Sequence, residues 1–289
     1  MITRQEHIDL EESAKSIQQL LDGFDSPTPL PLNFKELDRS HEVSVVRQKI
    51  NDANYAQVRS GVLDAEVNED TLVHLAWGIV LGRYGAGRDV VFGGSSSARD
   101  EKLDRLRNVG NNVGSCDIRV PVIVQIDPDQ TIREALQALQ VRQSTMVRTF
   151  TTAMMENQSR LTDLVQTDVI YDHDPFASEP SNQGGLISNS HWDCPLSLLI
   201  QDDGIALSVS LSYDTGLYDL PAGNQLLEDY CHILVELTKD LNQPLRELDV
   251  LSPSMRERLV DQQCAREQVS QHPSACLLYT SALPTIYSV

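Results

Sequence analysis

The run Leu72-Val73-His74-Leu75-Ala76-Trp77-Gly78-Ile79-Val80-Leu81 constrains the fold more than any other stretch, because it is apolar nearly all round at helical spacing. A helix without a polar face needs partners on most sides, so it belongs in the middle of a layered domain. Asn68 stands where an N-cap is required, and Tyr84-Gly85-Ala86-Gly87 supplies the stop. Val90-Val91-Phe92 follows as a short apolar run of interior-strand type.

Other segments fill in the layers. Val43, Val45, Val46 and Ile50 predict a strand, and Asn51 to Val62 an amphipathic helix. Ser115 to Ile126 is β-branched and apolar, yet Pro121 inside it demands an edge position, a bulge or a split into two strands. Thr131-Ile132-Arg133-Glu134 has capping-box spacing, followed by a helix with Ile132, Ala135, Leu136, Leu139, Met146 and Val147 on one face. Leu196 to Gln201, an Asp202-Asp203-Gly204 turn, and Ile205, Leu207, Val209, Leu211 and Tyr213 in alternation predict a β-hairpin. Leu226, Leu227, Tyr230, Ile233, Leu234, Leu237 and Leu241 mark a last amphipathic helix begun near Pro221. At the start, His7 to Leu21 reads as a helix, and Ser26-Pro27-Thr28-Pro29-Leu30-Pro31-Leu32 as an extended connector, since prolines at alternate positions forbid helix. The expected fold class is α/β, a sandwich of a mixed sheet with helices.

Charge and composition narrow the function. The 289 residues carry 42 Asp plus Glu against 23 Lys plus Arg, a net charge of -19 that disfavours nucleic acid and anionic membrane as partners. No apolar stretch reaches the roughly 20 residues that span a bilayer, and the N-terminus lacks an apolar signal core, so the expected localisation is cytoplasmic. Cys116, Cys194, Cys231, Cys264 and Cys276 are odd in number and widely spaced, which reads as reduced, mostly buried thiols. The seven histidines are equally scattered, so no metal site is expected.

Motif by motif, the bland reading prevails. Gly82, Gly85 and Gly87 follow a helix instead of joining a strand to a helix, so they read as a stop and turn. Gly93-Gly94-Ser95-Ser96-Ser97 is expected just past a strand, where backbone approaches a ligand closely, although no Walker lysine follows. Asn157-Gln158-Ser159 is a sequon without a secretion signal. His173-Asp174 and His191-Trp192-Asp193 lack a nucleophile in a strand-to-helix elbow, and His74 reads as a satisfied core histidine.

Several stretches together resemble the condensation domains of nonribosomal peptide synthetases, from about Ala14 to Val260. Leu20 to Pro31 is similar to the helix and proline connector near the middle of such domains. Thr71 to Tyr84, then Arg88-Asp89-Val90-Val91-Phe92-Gly93 and Ser97-Ala98-Arg99, resembles the family's buried helix, strand and "SGR" turn. Val109-Gly110-Asn111-Asn112-Val113-Gly114-Ser115 followed by Arg119 falls where the family carries VGxxxNT and an arginine, with Gly114 and Ser115 at the places of the usual Asn and Thr. Ser210 to Asp219 resembles a late strand and turn, and Pro244 to Leu248 with Leu251 to Leu259 resembles the exit into an adenylation domain. Gln271 to Val289 does not resemble the opening of an adenylation domain and reads as a truncated or out-of-frame tail.

The resemblance implies a chloramphenicol-acetyltransferase-type lobe, the C-terminal one of two that hold a tunnel between them. It divides the chain into an interlobe helix and connector (1–32), the lobe (33–250) and an exit linker with tail (251–289). It implies amide formation between donor and acceptor thioesters on the phosphopantetheine arms of peptidyl carrier proteins upstream and downstream, with an adenylation domain adjacent and no cofactor bound directly. The family's catalytic HHxxxDG motif belongs to the other lobe, and no two histidines are adjacent in this sequence. By resemblance the substrate channel is lined by Arg99, Gly110, Asn111, Asn112, Gly114, Ser115 and Arg119; the alternative for both arginines is pairing with surface carboxylates. Two further readings stay open: an epimerisation or heterocyclisation relative of the same fold, and a non-catalytic carrier-protein binding module.

Overall fold

The computed structural model describes residues 26–31, 42–85, 87–95, 119–153, 164–173 and 194–261. It divides into two compact units, residues 1–250 and Leu251–Val289. In the first, β1 (Val43–Ile50), α1 (Asp52–Ala65), α2 (Glu69–Gly85), β2 (Asp89–Ser95), β3 (Arg119–Gln125), α3 (Ile132–Ala153), β4 (Thr167–His173), β5 (Leu196–Asp202), β6 (Leu207–Asp214) and α4 (Leu220–Glu236) follow in order. The strands form one six-stranded mixed sheet in the order β1-β6-β5-β4-β2-β3. β4 runs parallel to β5 and β2, and the remaining pairs are antiparallel. In the second unit, residues 253–261 are helical, and the Ser252 carbonyl and hydroxyl take the Arg256 and Met255 amides at 3.0 and 3.4 Å.

Hydrophobic alternation sorts each strand into two faces. Val90 and Phe92 of β2, Val122 and Val124 of β3, Val169 of β4, Leu196, Leu198 and Ile200 of β5, and Leu207, Val209 and Leu211 of β6 share one core with the helices. At its centre α2 is buried from Asp70 to Leu81, as its apolar surround requires. Trp77 is fully buried, stands edge-on to Tyr230 of α4 with centroids 6.0 Å apart, and donates its Nε1–H to Thr167 Oγ1 at 3.1 Å. At the C-terminal end of α2 the buried Asp229 carboxylate accepts from the Arg83 guanidinium at 3.2 Å, the Tyr84 hydroxyl at 2.6 Å and Gln225 at 2.9 Å.

Pro121 stands on edge strand β3, as its missing N–H demands. The Ile126 amide bonds to the Arg88 carbonyl at 2.7 Å, so alternation turns the backbone groups of residues 121, 123 and 125 outward. A proline at 121 therefore costs no ladder bond. The outward Ile123 carbonyl is taken by the Arg142 guanidinium at 3.0 Å, which further blunts the edge against pairing with another chain.

The proline connector is extended, and it is docked. Thr28 is buried, and its hydroxyl accepts the Val91 amide at 2.7 Å on the side of β2 that reaches β4 only at Gly93 and Gly94. The helix expected over His7 to Leu21 lies outside the described residues. Asn51 caps α1 through its side chain, which accepts the Asn54 amide at 2.8 Å.

The capping box at α3 is complete: Glu134 Oε2 accepts from the Thr131 amide at 2.9 Å and hydroxyl at 2.8 Å, while Thr131 Oγ1 takes the Glu134 amide at 3.3 Å. These bonds to the ionised form, the amide foremost, hold the Glu134 carboxyl below its usual range. Thr131→Ala is expected to lower unfolding stability by about 1 kcal/mol, the usual value of a cap. A urea midpoint unchanged from the wild type would contradict that assignment.

Two expectations are corrected. The hairpin's first strand runs on to Asp202, and Ile205 lies in the loop, 80% exposed, instead of entering the second strand. Gly204 has φ 81°, and Asp203 Oδ1 takes the Ile205 and Ala206 amides at 2.8 and 2.6 Å, so the turn consumes the residue that alternation had given to β6. Likewise Gly93, Gly94 and Ser95 do not follow β2 but are its last residues. Close neighbours explain the glycines: a Cβ on Gly94 would lie 2.4 Å from Val122 Cγ2 and 2.7 Å from His74 Nε2.

Candidate functional site

Of the predicted channel residues, Arg119 is the one described, at the start of β3. β2 leaves the sheet at Ser95, and β3 enters at Arg119, which is the register partner of Ser95. The stretch between thus begins and ends on adjacent strands. Arg99, Gly110, Asn111, Asn112, Gly114 and Ser115 lie outside the described residues. So do Asp174 and the His191-Trp192-Asp193 set, whereas His173 closes β4 opposite Asp202.

On the helix side of this end a polar relay is buried. Thr71 donates to Gln143 Oε1 at 2.9 Å, and Gln143 Nε2 lies 2.6 Å from His74 Nδ1. Because the Gln143 oxygen faces a hydroxyl, its nitrogen is the donor to Nδ1, which places the imidazole proton on Nε2. Among the described residues that Nε2 has no hydrogen-bond partner in bonding geometry, and it lies against Gly94. Burial pulls the His74 pKa down to about 4, opposed by the Asp70 carboxylate and the Val169 backbone nearby. His74 is thus a neutral, buried core residue held through Nδ1 by Gln143.

The opposite face of the sheet carries one row with small and polar residues at its centre. Register sets Pro121, Gly93, Asp168, Ser197, Ser212 and Val45 side by side on the six strands. Asp168 is fully buried, and the hydroxyl of Ser197 donates to its Oδ1. Ser212 is 3% exposed, and its Oγ has no hydrogen-bond partner among the described residues. Toward the same end of the sheet as Ser95, at the close of β5, Asp202 accepts from the Tyr55 and Tyr171 hydroxyls at 2.7 and 3.0 Å. Burial and that carboxylate push both phenols up, so they stay protonated and tie α1 and β4 to the hairpin.

The sequence reading missed Asp168, Ser197 and Ser212. No local motif marks them, and only the strand register assembles them. Gln143 carried a weak signal: it is a polar residue on α3 next to the apolar face that begins at Ile132.

A six-stranded mixed sheet covered by helices on one face is the architecture of the chloramphenicol-acetyltransferase type, shared with solved condensation domains. The chain belongs to the Condensation domain family, which matches residues 4–260. One of the linear gramicidin synthase proteins of Brevibacillus parabrevis is 25% identical over 268 residues, covering 87% of this chain and 3% of the synthase. Among solved structures, a four-domain nonribosomal peptide synthetase bound to AMP and glycine superimposes with a TM-score of 0.67 at 15% identity, over 85% of this chain and 20% of that one. The first condensation domain of the calcium-dependent antibiotic synthetase, in complex with a substrate analogue, gives 0.63 at 14% identity over 84% and 54%. The chain therefore spans about half the length of that solved condensation domain and a small part of the curated synthetase.

Proposed function

We propose that this chain is the C-terminal lobe of a condensation domain that joins a carrier-bound aminoacyl or peptidyl donor to a carrier-bound aminoacyl acceptor through an amide bond. The observation that carries the reading is the family match over residues 4–260 combined with coverage of about half of a solved condensation domain. In this reading residues 1–32 connect the lobes, 33–250 form the lobe and 251–289 lead out of it. Arg99, Gly110, Asn111, Asn112, Gly114, Ser115 and Arg119 line the substrate channel. The partners are the phosphopantetheine arms of upstream and downstream peptidyl carriers, the lobe bearing HHxxxDG and an adjacent adenylation domain.

The chemistry assigns the work between the lobes. A free amine attacks a thioester carbonyl; the C–N bond forms, the C–S bond breaks, and the amine proton must leave. An α-amine with pKa near ~8 is largely protonated at neutral pH, so a base and a fixed orientation are both needed. No His-His pair occurs in the sequence, so this chain contributes orientation and water exclusion but not the family's base.

Mixed with donor-loaded and acceptor-loaded carriers, the purified chain is expected to give no dipeptidyl product above the uncatalysed background, while retaining measurable binding to phosphopantetheinylated carrier. Turnover comparable to a complete two-lobed domain overturns the division of labour, and absence of any carrier binding overturns the reading itself. The missing His-His pair also favours a second reading, a non-catalytic carrier-binding module. Carrier binding by the parent protein without amide formation distinguishes that module from a catalytic lobe.

A further inference from the structure

We propose that the cavity between β3 and α3 binds a small zwitterion, a free α-amino acid with an apolar side chain, at a site separate from the condensation chemistry above. The cavity has a volume of about 210 Å³. That is below the ~300 to 1,000 Å³ of sites for drug-sized ligands, and equals the space of about seven waters or one small molecule. Buried apolar side chains form its floor, Leu75 from α2, Val124 from β3 and Leu139 from α3. Gln125, Asp127, Gln130 and Arg142 supply its polar lining. The site lies beside Gln125, the last residue of β3, whereas Arg119 is the first, so about 20 Å of strand separates it from the predicted channel.

Two groups of opposite charge define the ligand. Arg142 is half-buried, and its guanidinium donates to the Ile123 carbonyl at 3.0 Å and to Gln125 Oε1 at 2.7 Å. Those bonds fix the fork, use two of its five N–H groups and leave its charge unneutralised. Among the described residues Arg142 has no ion-pair partner; the carboxylate of Asp89, the register partner of Gln125, acts on it only from beyond ion-pair distance. Drawing a charge partly out of water without a counter-charge is unfavourable, and an incoming carboxylate removes that cost with charge-assisted hydrogen bonds. Asp127 supplies the opposite charge. Its Oδ1 takes the Asp129 amide at 3.1 Å, and its other oxygen has no partner among the described residues. A carboxylate at Arg142, an ammonium at Asp127 and a side chain on the apolar floor satisfy all three kinds of surface together. An acid without the amine would face Asp127 and Asp89 uncompensated, and an amine without the carboxylate would face Arg142, so the lining also selects against both.

The test is direct binding to the full 289-residue chain by ligand-observed NMR. Three probes of one shape are titrated: leucine, isocaproate, which lacks the amine, and isoamylamine, which lacks the carboxylate. Leucine is expected to bind about tenfold more tightly than either, the size of one charge-assisted hydrogen bond. Arg142→Gln is expected to remove the preference for leucine over isoamylamine. Because Arg142 also holds the Ile123 carbonyl, that variant can lose stability, and Asp127→Asn then decides. Asp127 is exposed, and asparagine keeps the Oδ1 acceptor for the Asp129 amide, so the melting temperature is expected to stay unchanged while the preference for leucine over isocaproate disappears. Isocaproate or isoamylamine binding as tightly as leucine to the wild type overturns the site, and so does leucine binding that Asp127→Asn leaves intact. Absence of binding by all three up to about 10 mM overturns it as well and leaves a cavity that holds only water. None of these outcomes touches the condensation reading, which stands or falls on carrier binding.

Discussion

Trp77→Ala is expected to remove about 4 kcal/mol of unfolding stability, near the middle of the range for truncating a large buried aromatic. The indole is fully buried and joins three elements at once: α2, which carries it, α4 through the edge-on contact with Tyr230, and β4 through the bond to Thr167. Truncation leaves a cavity that a close-packed interior refills only in part, and it deprives the 3%-exposed Thr167 hydroxyl of its donor. A domain with about 5–15 kcal/mol in total would lose a large share of it to one residue. Trp77→Phe keeps the ring but not the N–H and should cost clearly less. Urea unfolding monitored by far-UV circular dichroism reads both variants, with the slope unchanged and the midpoint lowered. A shift equivalent to less than about 1 kcal/mol for Trp77→Ala would mean that α2 is not the central support described above.

The parts of the fold that were legible in the sequence are those whose chemistry is local. Thr131 and Glu134 make their capping box within one turn of helix, and the apolar surround of α2 requires burial whatever the partners are. Pro121 announced an edge because its constraint travels with its own ring. β4 was not legible: Thr167–His173 offers only Val169, Ile170 and Tyr171 between aspartates, and what makes it a strand is parallel pairing with β5 and β2. Parallel pairing joins segments distant in sequence and leaves no turn signal between them. The glycines at 93 and 94 misled for the same reason. Their local chemistry says loop, whereas their actual neighbours, Asp168 for one and His74 with Val122 for the other, arrive from other elements.

The row of Asp168, Ser197 and Ser212 has the same origin. Alternation in β6 separated Leu207, Val209, Leu211 and Tyr213 from Ser208, Ser210 and Ser212, and a pattern of that kind ordinarily means a wet face. Ser210 and Ser212 are instead 5% and 3% exposed, so the alternation divides an apolar buried face from a polar buried one. A fold that needed only stability would place β-branched apolar residues on both buried faces of interior strands. Retaining hydroxyls and a carboxylate there is a cost to folding, of the sort that functional surfaces carry.

Acidification should cost this chain more unfolding free energy than it costs a variant lacking His74. The imidazole has a pKa of about 4 in the folded protein against an ordinary value of 6.5, with burial as the leading cause. Between those two values the unfolded chain binds the proton and the folded chain does not, so stability is complete above about pH 6.5 and declines as the pH falls toward 4. The decline attributable to this one group reaches about 3 kcal/mol at the lower end. Other groups titrate in the same window, which is why the comparison with His74→Gln matters: glutamine still offers Gln143 a hydrogen-bond partner but takes up no proton. Unfolding free energies measured in urea from about pH 7 to about pH 4.5 should therefore converge, the wild type losing stability with acid more steeply than the variant. Parallel curves would show that His74 titrates normally in the folded state and that the end of β2 is not sealed by a neutral imidazole.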